Sequence, residues 1–91
     1  MVYILPMSTI VKLLERFKAR PKDLTYNELR RILKHFGYIE SKSGKTSGSS
    51  VAFENEESKD IIRLHKPHPS PIVKLYAIDA IQEKLRERGL L

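Results

Sequence analysis

The sequence predicts an α+β two-layer sandwich in the order helix, helix, three antiparallel strands, helix. Three observations carry this. Apolar residues recur at helical spacing in three stretches, over 8–20, 25–37 and 75–88. Between the second and third of these, β-branched and aromatic residues alternate with period two. The alternation leaves each strand one apolar face, which calls for helices on that face alone. With 91 residues, the chain suffices for one small domain, 1–91.

The elements follow in chain order. Residues 1–7 read as a flexible lead, and Met1 and Met7 are both candidate starts. Ser8 and Thr9 are capping types, and Ile10, Leu13, Leu14 and Phe17 after them share one helical face. Lys12, Arg16 and Arg20 lie four apart on another face. Pro21 disfavours helix at the residue before it, so this helix is expected over 8–20. Thr25-Tyr26-Asn27-Glu28 matches a capping box. Leu29, Ile32, Leu33 and Phe36 form the apolar face of that second helix, and Gly37 ends it. His35 in its last turn suits the helix dipole as an imidazolium.

Strands are expected over 38–42, 50–55 and 60–65. The Gly/Ser/Thr-rich stretch 43–49 and the polar stretch 56–59 supply the turns. Pro67, Pro69 and Pro71 force an extended crossing. The last helix, about 75–88, buries Ala77, Ile78, Ile81 and Leu85. Gly89 stops it, and Leu90 and Leu91 are expected to fold back onto the core.

Composition excludes several classes. Hydrophobic residues are 41% and charged residues 31%, a mix too apolar for a disordered chain. The absence of cysteine removes disulfides, thiolate zinc sites and a thiol nucleophile, and fits a reducing cytoplasm. The longest apolar run, 1–7, is broken by Pro6 and is too short to span a membrane. The net charge is +6, and all of it lies in the front half. Residues 1–50 hold ten basic and four acidic side chains, whereas 51–91 hold seven of each. Such a surface attracts a polyanion or an acidic protein, or is a solvated basic face.

Two short patterns are decoys. Gly44-Lys45-Thr46 resembles the end of a phosphate-binding loop, but the pattern needs glycine at position 39, which is Ile39. Nucleotide hydrolysis is rejected. Two readings stay open: Lys42, Lys45, Thr46, Ser47 and Ser49 hold a phosphate of a polynucleotide, or they make a plain hairpin turn. His65-Lys66-Pro67-His68 sets two imidazoles three apart, but Pro67 excludes a helix and no third ligand is near, so no metal is expected.

Three features carry a resemblance to a family. They are the helix from Thr25-Tyr26-Asn27-Glu28-Leu29 to Gly37-Tyr38, the hairpin from Lys45 through Gly48 and Ser50 to Phe53, and the His-Pro segment before a helix ending Gly89-Leu90-Leu91. Over 24–91 the chain resembles the HicA-type toxins of bacterial and archaeal toxin–antitoxin pairs. The resemblance implies a fold similar to double-stranded-RNA-binding domains, with 8–20 an added helix. It further implies cleavage of mRNA without a metal or cofactor, and inhibition by a HicB antitoxin. Family members carry Gly-Ser-His at the second strand, and that histidine is catalytic. The matching positions here are Gly48, Ser49 and Ser50. A hydroxyl is no base near neutral pH without a partner.

Register suggests where an imidazole could come from. A four-residue turn at 56–59 pairs Val51 with Leu64 and Phe53 with Ile62 on the apolar face. Ala52–Arg63 and Ser50–His65 then lie on the other face. His65 is therefore expected opposite Ser50, able to take the proton of an RNA 2′-OH. Arg63, Lys45 or Lys66 would steady the phosphate charge. The competing reading makes His65 a strand-end residue only, and His68 is the second candidate. The exposed strand face offers Ala52 and Arg63, so no aromatic stacking platform is expected. An antitoxin is expected to be acidic where it meets Lys42, Lys45 and the Arg30, Arg31 and Lys34 cluster. Two other functions stand beside the ribonuclease: a non-catalytic module binding RNA or antitoxin, and a structural partner using the first helix.

Overall fold

The computed structural model describes residues 9–41 and 50–91. Its order is α1 (Thr9–Lys18), α2 (Tyr26–His35), β1 (Tyr38–Glu40), β2 (Ser50–Asn55), β3 (Ile61–His65) and α3 (Leu75–Glu87). The sheet is antiparallel in the order β1-β2-β3. This is the expected α+β, helix–strands–helix layout, similar to double-stranded-RNA-binding domains, with α1 in front.

Capping sets the helix ends. The Thr25 hydroxyl accepts from the Glu28 amide at 3.1 Å, while a Glu28 carboxylate oxygen accepts from the Thr25 amide at 2.9 Å. Two otherwise orphaned donors are thereby satisfied. At the far end of α3, Gly89 has φ +73. The Gly89 amide donates to the Arg86 carbonyl and the Leu90 amide to the Leu85 carbonyl, a Schellman closure. Leu90 remains 39% exposed, and only Leu91 packs on the core, because the closure turns Leu90 outward.

α1 is shorter than the spacing suggested. Helical backbone stops at Lys18, and Arg20 takes φ +57, so the chain reverses before Pro21 rather than at it. α1 is nonetheless part of the fold. Phe17 is fully buried and Leu13 nearly so. The buried Gln82 side chain of α3 donates from Nε2 to the Phe17 carbonyl at 2.7 Å. Burying a phenylalanine contributes roughly 2–3 kcal/mol.

The core lies between one sheet face and the helices. Tyr38, Phe53 and Ile62 from the strands meet Leu29, Ile32 and Leu33 of α2 and Ile78 and Leu85 of α3. Alternation sends Ile39, Arg63 and His65 outward. The β2–β3 register is Ser50↔His65, Val51↔Leu64, Ala52↔Arg63 and Phe53↔Ile62, as the turn length implied. Asn55 closes the ladder by donating its amide to the Asp60 carbonyl at 2.8 Å.

Candidate active site

β3 delivers His65 to its end. Ile62 and Leu64 are committed to the core, so Arg63 and His65 share the opposite, exposed face. Beyond His65 the chain is stitched to the α1–α2 connection by an isolated bridge, Thr25↔Ile72. The Tyr26 amide donates to the Pro71 carbonyl at 2.8 Å and the Val73 amide to the Leu24 carbonyl at 2.7 Å. These bonds return the chain to α3 close to where it left the sheet.

The return encloses a cleft of about 200 Å³ whose lining includes His65, Lys66, His68, Lys74 and Tyr76. Two histidines, two lysines and a tyrosine are therefore among its walls. Lys66 is anchored: its Nζ sits 5.3 Å from the centroid of the Tyr26 ring, a cation–π distance. The Tyr26 hydroxyl in turn donates to Glu40 Oε2 at 3.0 Å. Burial pushes the Tyr26 phenol well above its ordinary pKa, and the Glu40 carboxylate pushes it further. Tyr26 therefore stays a neutral donor. Arg30 pairs with the other Glu40 oxygen at 3.1 Å.

The residues named from sequence divide accordingly. His65, His68 and Lys66 share the cleft. Ser50 is the cross-strand neighbour of His65, and Arg63 lies two residues closer to the turn on the same face. Lys42, Lys45, Thr46, Ser47 and Ser49 lie outside the described residues. Lys74 and Tyr76 were not singled out. The signal for Tyr76 was an aromatic out of phase with the Ala77, Ile78, Ile81 and Leu85 stripe. Tyr76, in the first turn of α3, is 67% exposed.

Three cations of the front half, Arg16, Arg20 and Arg30, are held in ion pairs. Arg16 bridges Asp23 and Glu28, and Arg20 grips Asp79 with two bonds of 2.6 and 2.9 Å. Arg31 and Lys34 line a separate groove of about 760 Å³ between α2 and β1, together with Arg30, Ile39 and Ser41. That groove is cationic but carries no imidazole. Among the described residues, no group of three His, Cys, Asp or Glu side chains is arranged to hold a metal.

With this geometry, the sequence model of the family described as "HicA toxin of bacterial toxin-antitoxin" matches the chain over residues 26–90. The chain belongs to the HicA toxin family. It is therefore a toxin of a toxin–antitoxin system, with an antitoxin as its partner. No curated protein and no solved structure matches it. The HicA match runs from the first residue of α2 past the end of α3, and so includes the whole cleft. α1 precedes the matched stretch, although Leu13 and Phe17 share its core. No helix among the described residues of this HicA chain is long and apolar enough to cross a membrane.

Proposed function

We propose that this HicA-family toxin cleaves mRNA in the cytoplasm by metal-independent transesterification and is restrained by a HicB-type antitoxin. The observation carrying the reading is that His65, His68, Lys66 and Lys74 line one cleft at the end of β3. His65 takes the proton of a ribose 2′-OH. The 2′ oxygen attacks the adjacent phosphorus, and the bond to the 5′ oxygen breaks. His68 protonates the departing oxygen, leaving a 2′,3′-cyclic phosphate and a 5′-hydroxyl. Lys66 and Arg63 offset charge on the phosphate as it develops. The Ser50 hydroxyl orients the His65 ring, with Cβ atoms roughly 5 Å apart across the ladder. Lys42, Lys45, Thr46, Ser47 and Ser49 extend the grip on the RNA backbone.

The test is incubation of the purified chain with single-stranded RNA, with and without chelator, against His65→Ala. Cleavage that survives chelation and is lost in the variant supports the proposal. Undiminished cleavage by His65→Ala removes His65 from the mechanism. One observation favours a second reading, a non-catalytic RNA- or antitoxin-binding module: Ser50 stands where the family resemblance expects the catalytic histidine. Salt-sensitive binding without cleavage identifies that case.

A further inference from the structure

We propose that Tyr76 is a platform for one unpaired nucleobase, so that the cleft selects single-stranded over double-stranded RNA despite the duplex-binder layout of the fold. The inference rests on RNA occupying the His65 cleft. Tyr76 is 67% exposed at the lip of that cleft, in the first turn of α3. An aromatic ring of this kind usually buries a large apolar area. Its phase on α3 opposes the stripe that packs on the core, so the fold gains little from an aromatic there. Among the described residues its hydroxyl has no hydrogen bond and its ring no aromatic neighbour.

The surroundings say what the ring is suited to. Lys74 is two residues away in the chain, and Lys66 lines the same cleft, so the exposed ring has cationic side chains for neighbours. A polynucleotide offers that alternation, with flat bases attached to a charged backbone. Inside a duplex both faces of each base are already covered by stacking. Only an unpaired base can present a face to Tyr76 while its phosphates reach Lys66 and Lys74. The base would be selected for being unstacked rather than for its identity, because every base has a π-face.

The test measures binding, so it holds whether or not the chain cleaves. The full chain is titrated into a 12-nucleotide single strand with all 2′-hydroxyls replaced by 2′-O-methyl and one 2-aminopurine. The same strand annealed to its complement is run in parallel. The expected result is tighter binding of the single strand, with 2-aminopurine fluorescence quenched by stacking. Tyr76→Ala should weaken single-strand binding between about five- and a hundred-fold and abolish the quench, while Tyr76→Phe keeps both. Equal affinity for single strand and duplex overturns the inference, as does single-strand binding that Tyr76→Ala leaves unchanged. Both results leave the cleft reading standing. Failure of both RNAs to bind overturns the cleft reading together with the inference.

Discussion

Ser50 and His65 face one another across β2 and β3 on the last rung before the chain leaves the sheet for its proline-rich return. The rung puts a hydroxyl and an imidazole on the exposed face, on adjacent strands. An imidazole supplied from either strand would reach nearly the same point. His65→Ala should therefore lower RNA cleavage by about 100-fold or more. Its melting temperature should barely move, since the His65 side chain is exposed. Adding Ser50→His to that variant should restore part of the rate, measured on a fluorescent single-stranded substrate. No recovery in a folded double variant would show that the rung is not where the proton is taken.

Cations in the cleft and cations in ion pairs should behave differently in salt. Replacing Lys66 or Lys74 by Ala should each reduce the steepness of log affinity against log salt by about 0.7, the value for one phosphate contact on a single strand. Arg20→Ala should leave that slope alone, because its guanidinium is held by Asp79. A slope change in Arg20→Ala equal to that in Lys66→Ala would contradict the assignment.

Asp60 predicts an acid-sensitive fold. It accepts from Arg88 at 2.7 Å and from the Tyr38 hydroxyl at 2.6 Å. The Arg88 bond, helped by that of Tyr38, holds its pKa at about 2 against an ordinary 3.8. The unfolded chain binds the proton more readily, so this stabilisation is present above about pH 4 and is lost as pH falls toward 2. The loss should be about 1 kcal/mol, given the solvent screening of Arg88. Urea midpoints at pH 5 and pH 2.5 should differ more for the native chain than for Asp60→Asn. Equal differences would remove Asp60 as a source of the acid sensitivity. Tyr38 supplies the other side of the pair: burial, then the Asp60 bond, pushes its phenol up to about 12, which keeps it a donor.

The α2–β1 turn should tolerate little. Gly37 has φ +93, and a Cβ there would lie 3.0 Å from Asn55 Nδ2. That same nitrogen donates to the Phe36 carbonyl at 3.0 Å, while Asn55 Oδ1 accepts from the Glu57 and Ser58 amides. Gly37→Ala should cost about 1–3 kcal/mol through strain and crowding. Asn55→Ala should cost about 1–2 kcal/mol by removing three bonds to part-buried backbone groups of the turn. Denaturant unfolding measures both. A midpoint unchanged in Asn55→Ala would mean the side chain does not secure the turn.

Much of the fold was legible because its signals are local. The Thr25 and Glu28 box, the alternation of Ile62 and Leu64, and the four-residue turn each act within a few positions. The β2–β3 register followed from turn length and from matching apolar residues. Boundaries were less legible. Arg20 adopts a left-handed turn that its side chain does not advertise. Leu90 is turned outward by the Schellman closure, although leucine composition alone suggested burial.

Residue order along the chain set the helices, the strands, the rung joining Ser50 to His65 and the family, since hydrophobic period and capping are short-range physics. Packing settled which charges are spent in ion pairs and which line the clefts. Arg20 meets Asp79 across 59 positions, and His65 and Lys66 share a cleft with Lys74 and Tyr76 only through the return segment bonded to Leu24 and Tyr26. Contacts closed over such spans leave no periodic trace in one sequence, because they depend on how finished elements dock.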